Sequence, residues 1–340
     1  MEIIMENNQN EAKQDKQKKY NLHRTMHIVL LVAVVVSIGL LVWKFSNWGT
    51  FIDIHDVADN PDDKYAIGMD EILPLFTGTE DAVNDDGVTN ILVFGNHPFS
   101  DDRDSEDSLA NIIAREADAT VYNCAVSKSC MSSQLYAFSA SEYPMDAYSF
   151  YWLVTLAVTG ANKDYYPKAA AALGEKTPPE AQEVYDTLTT LDLNTIDVAV
   201  IMYDATDYFL WRNPCNPDNP TDVTTFAGNL EAGIEMLQEH YPNIRIIVMS
   251  PTYAYVDVDG EYVSSDLYVV NGEHTLPSYL GEESNSTLMR SVTLVDNLYG
   301  SVHEENAHLY LRDNLHLNVE GRKVVAEHFI YALNYFNKEK

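Results

Sequence analysis

An α/β domain with a parallel sheet between two layers of helices is predicted to follow one N-terminal membrane-spanning helix in this 340-residue chain. Three observations carry the prediction. An uncharged apolar run extends from Ile28 to Trp43, four short apolar segments of strand type appear after residue 88, and amphipathic helical patterns alternate with them.

With Met26 and His27, the run from Ile28 approaches the ~18 to 20 apolar residues that a bilayer core requires. Lys13, Lys16, Lys18, Lys19 and Arg24 precede it and Asp53, Asp56 and Asp59 follow, so the positive-inside rule puts the N-terminus in the cytoplasm. The segment from Trp43 to Trp48 has no small-x-small cleavage site, which favours a retained signal anchor, and both tryptophans suit the membrane interface. The expected organisation is a cytoplasmic tail at 1–25, an anchor at 26–44, a stalk or lead-in at 45–88 and the α/β domain at 89–340. That domain is expected outside the cytoplasm, on a single-pass protein of the cell membrane.

Residues 1–44 hold 6 basic and 4 acidic side chains, leaving 15 against 48 in the remainder, a formal charge of −33 there. Such a surface has no basic patch to release counterions from phosphates, so nucleic acid is excluded as a partner. The acidity serves solubility or attracts a cationic polymer. Cys124, Cys130 and Cys215 are too few for a disulfide framework and form no CxxC pair for zinc; a Cys124–Cys130 bridge and three buried thiols both remain open.

The first strand is Asn90 to Phe94, closed by Gly95, its continuous apolar run suited to burial on both faces. Leu109, Ile112, Ile113 and Ala117 follow at helical spacing behind Asp104, Glu106 and Asp107. Thr120 to Tyr122 is the second strand, Ile196 to Met202 the third and Ile244 to Met249 the fourth. Leu230 to His240 marks a helix, Met289 to Tyr299 another, and Val319 to Phe336 the last. Residues 142–192, rich in alanine, tyrosine and leucine, are expected as a helical insertion, and Asp257-Val258-Asp259-Gly260 as the turn of a hairpin within 252–270.

Ligands of an open parallel sheet gather at the carboxyl ends of its strands. The most informative segment lies just before the last helix, where Asp313 and His316 are spaced for the carboxylate to hold one imidazole nitrogen while the other faces a reacting group. Asn318 is placed to cap that helix and Gly321 to let it pack closely. On Asp313-x-x-His316-Leu317-Asn318-x-x-Gly321 and the strand-end loops, the chain resembles the SGNH, or GDSL-type, hydrolases over roughly 89–336. The resemblance implies a flavodoxin-like three-layer fold and an esterase or deacylase acting on acylated carbohydrate, lipid or wall polymer, without cofactor or metal. His97 occupies the position of the family's nucleophilic serine, Lys128 that of an oxyanion glycine, and Asp204 and Thr206 those of a glycine and an asparagine. By resemblance His316 is general base, Asp313 its orienting carboxylate and Ser100 a substitute nucleophile, with Asn96, Thr206 and the Lys128 amide as oxyanion donors beside Asp207. Ser100 also suits a helix end, and His97, Asp101, Asp204, Asp207 and His316 could instead gather a metal. A degenerate, non-catalytic relative that keeps the cleft to bind a glycan or a protein is the alternative function.

Overall fold

The computed structural model of the protein describes residue 30 and residues 68–74, 87–270 and 273–336. The chain divides into two units, residues 1–64 and 65–340. But for residue 30 the first unit, and with it the expected anchor at 26–44, lies outside the described residues. Among the described residues no helix is long and apolar enough to cross a membrane.

The second unit runs β1 (Thr89–Gly95), α1 (His97–Ser100), α2 (Leu109–Glu116), β2 (Ala119–Asn123), α3 (Phe150–Thr159), α4 (Tyr165–Leu173), α5 (Ala181–Thr190), β3 (Val198–Met202), α6 (Thr206–Phe209) and α7 (Phe226–His240). It continues with β4 (Arg245–Met249), β5 (Tyr255–Val258), β6 (Glu261–Ser264), α8 (Leu276–Arg290), β7 (Thr293–Val295), α9 (Asn297–Gly300), α10 (Ala307–Tyr310) and α11 (Val319–Leu333). Five strands form one sheet in the order β2-β1-β3-β4-β7, every pair parallel. This is the flavodoxin-like order, reversing direction beside β1. Right-handed crossovers then send α2 to one face and α3, α7 and α8 to the other. The packing of α2 on α11, and of α7 on both α3 and α8, fits these two layers.

The apolar runs explain the sheet's centre: Ile91 to Phe94 and Val200 to Met202 are fully buried, as strands covered on both faces should be. β1 and β3 also approach closely at their ends, where a Cβ on residue 95 would lie 2.2 Å from the Met202 carbonyl oxygen. Gly95 therefore carries no side chain for steric reasons. The stretch expected as an insertion contributes α3 to α5 to the connection between β2 and β3. The expected hairpin is present as antiparallel β5 and β6, with Asp259 and Gly260 both at positive φ and Asp257 accepting the Gly260 N–H at 2.8 Å.

The helix expected over Met289 to Tyr299 is not one element. α8 ends at Arg290, Thr293 to Val295 pair with β4, and Asp296 caps a new short helix. Three residues carry no usable periodicity, and their extended form comes from pairing with β4. Residues 68–74 lie on the other side of β7, where Glu71 and Leu294 exchange both backbone hydrogen bonds at 3.0 Å and Asp70 meets the buried His328 at 2.7 Å. This covers an otherwise open sheet edge. All three cysteines are free thiols.

Candidate active site

Gly95 ends β1 and the chain turns at Asn96 directly into α1, so His97 projects from the carboxyl edge of the sheet. Register places Gly95 beside Met202, and the chain leaving β3 carries Asp204 to the same edge. His97 Nδ1 lies 2.8 Å from Asp204 Oδ2. An ionised carboxylate only accepts, so this nitrogen carries the proton, while Nε2 accepts the backbone N–H of Lys128 at 3.1 Å.

Asp204 is 2% exposed, yet it stays charged because it is surrounded by donors. Asn96 Nδ2, the Thr206 amide and the Thr206 hydroxyl all donate to its Oδ1, and its own N–H donates to Asn96 Oδ1. Burial alone would raise its pKa, but the hydrogen bonds and charge of His97 and the Thr206 donors together outweigh it and hold the pKa below the usual carboxylate range. His97 shows the complementary balance. Burial disfavours its charged form, but the hydrogen bond and charge of Asp204, with Asp101 and Glu180, raise its pKa above the ordinary value.

The second pair comes from the far end of the chain. Asp313 accepts the N–H groups of Leu315 and His316 at 2.9 and 2.8 Å and holds His316 Nδ1 at 2.8 Å through Oδ2. Burial would raise the Asp313 pKa, but these bonds lower it overall. The loop is closed by the Leu311–Leu317 bridge, and Asn318 caps α11 by accepting the Gly321 N–H at 2.9 Å. Arg312 pairs with Asp101 and Asp102, and Arg322 with Asp102, which draws the loop against the end of α1. The His97 and His316 rings consequently meet edge to face, centroids 4.8 Å apart. Two imidazoles, each with Nδ1 on a carboxylate, thus share the edge of the sheet, and among the described residues His316 Nε2 has no hydrogen-bond partner.

The other expected site residues are placed as follows. Lys128 adopts φ +62°, the left-handed conformation natural to glycine, so its amide points into the site despite the side chain. Asn96 is fully buried, its amide nitrogen divided between the Ser129 carbonyl and Asp204. Thr206 donates twice to Asp204, and Asp207 accepts from Met131 and Ser132, anchoring the loop that carries Lys128. Burial, which dominates its hydrogen bonds, raises the Asp207 pKa. Ser100 ends α1 with its hydroxyl buried and unpartnered, making no hydrogen bond to His316. Among the described residues no three His, Cys, Asp or Glu side chains are arranged to hold a metal ion. The sequence places Asp204 at a family glycine position and in a possible metal group, not as the partner of His97; the available signal for that pairing is its place just after β3, beside the end of β1.

No family model and no curated protein matches this chain. Solved structures do. One crystal structure aligns over 73% of this chain and 97% of its own length at 17% identity, with a TM-score of 0.52. A carbohydrate acetylesterase from Sinorhizobium meliloti covers 73% and 99% at 13% identity and a TM-score of 0.42. A chain from Slackia heliotrinireducens described as a candidate SGNH hydrolase covers 72% and 99% at 11% identity and 0.39. The likeness to the first of these is one of fold.

Proposed function

Taking the sequence's SGNH-hydrolase resemblance as premise, we propose that this chain is an ester hydrolase removing acyl groups from carbohydrate, lipid or wall polymer, carried outside the cytoplasm by the apolar segment at 26–44. One observation carries this reading: the edge-to-face contact of two carboxylate-held imidazoles at the end of β1. His316, oriented by Asp313, has its Nε2 free to take a proton, the requirement for a general base. His97, whose charged form Asp204 favours, can protonate at Nε2. It would then release the Lys128 amide, leaving two donors directed at one acceptor, as an ester oxyanion needs.

In this scheme water attacks the acyl carbon as His316 takes its proton, and His97 and the Lys128 amide stabilise the oxyanion. The C–O bond then breaks, and the departing alkoxide recovers the proton from His316. Water is the preferred nucleophile over Ser100, whose hydroxyl is sealed from solvent and unconnected to His316. Turnover of a panel of acetylated saccharides by the full-length protein tests the scheme. It should be lost in His316→Ala and His97→Ala and retained in Ser100→Ala, with no fluorophosphonate label on Ser100. Silence of the wild-type protein across the panel would sink the hydrolase reading.

The pH dependence has a defined sign. If His97 acts as the imidazolium, rate must fall as pH rises through its pKa, which lies above the ordinary ~6.5. A kcat/KM profile whose alkaline limb lies below that value would contradict the role.

A non-catalytic glycan-binding reading is favoured by a separate feature. With His97 neutral, the Lys128 amide, the Asn96 side chain and both Thr206 donors are all engaged within the protein. Binding of the same saccharides without turnover would select this reading.

A further inference from the structure

The helical connection between β2 and β3 reaches the site through one carboxylate. Glu180, immediately before α5, is 4% exposed, and its Oε1 accepts the backbone N–H of Ser127. The next amide, that of Lys128, donates to His97 Nε2. Contacts therefore run from the start of α5 through two consecutive N–H groups to the imidazole after β1. A buried carboxylate on a loop amide ordinarily serves only to anchor the loop. Here the peptide unit that follows the anchored one presents the donor that His97 either holds or releases.

We infer that Glu180 is a positioning residue through which the helical insertion governs His97. Its hydrogen bond fixes the Val126–Ser127 peptide, next to the Ser127–Lys128 peptide whose N–H His97 accepts, and its negative charge favours the imidazolium over the neutral ring. The other charged or titratable groups around His97 are Asp204 after β3, Asp101 with its partner Arg312, His316 with Asp313, and Lys128 itself. Burial is the largest influence on His97 and opposes its charge; among the groups that favour the charge Asp204 contributes most, and Glu180 adds to it. The consequence for turnover rests on the hydrolase reading, whereas the effect on His97 does not.

The test is an NMR titration of the histidine rings in the full-length protein. Glu180→Gln keeps a carbonyl oxygen for the Ser127 amide but removes the charge. The His97 midpoint is expected to fall, and the alkaline limb of kcat/KM to move with it. Glu180→Ala removes the acceptor as well, and the Ser127 amide should exchange about tenfold faster, as expected for losing a charge-assisted hydrogen bond. An unmoved His97 midpoint in Glu180→Gln would overturn the inference, even if the alanine variant fails to fold. A lowered midpoint in a protein that turns over no ester would uphold Glu180 and remove the hydrolase reading.

Discussion

Replacing His316 by alanine is expected to lower kcat/KM on an acetylated saccharide by about 100 to 10,000-fold, the contribution of a well-placed general base. The fold should survive the change. The His316 side chain is 26% exposed, and its strongest partner, Asp313, would still accept the backbone N–H groups of residues 315 and 316. The loss should therefore appear as chemistry at an unchanged melting temperature. Initial rates measured beside a thermal melt decide the matter, and a variant with wild-type kcat/KM would remove His316 from the mechanism.

Asp204→Ala should instead act on stability, by about 3 to 5 kcal/mol, because one buried partner of a charged pair is lost while its donors stay behind. His97 Nδ1, Asn96 Nδ2 and both Thr206 donors would lose their common acceptor at a fully buried strand end. For a domain of this size that is a fall in Tm of roughly 10 °C. The pH window follows from the two shifts. The depressed Asp204 pKa gives stability that is present above the ordinary carboxylate value of ~3.9 and lost as pH falls through the folded value. The raised His97 pKa gives stability present below ~6.5 and lost as pH rises through the folded value. The gap between wild type and variant should thus be widest between about pH 4 and 6.5. Urea unfolding across pH measures it, and a gap below about 1 kcal/mol throughout that window would mean the pair behaves as a solvent-exposed one.

The sequence by itself determined what depends on neighbours along the chain. Period and run length marked β1 to β4, α7 and α11; the Asp259-Gly260 dipeptide marked the hairpin; and a spacing of three marked Asp313 with His316, since both lie in one short loop. Only the tertiary structure decided the rest. β7 is extended because β4 lies alongside it, and residues 68–74 are held because β7 offers a free edge. His97 and Asp204 are 107 residues apart and become partners only when β1 and β3 pair in register. Glu180 reaches Ser127 through a fold in the chain that no local pattern encodes. Periodicity records how each segment meets water and core, whereas the partners of a buried charge are set by which strand ends the sheet brings together.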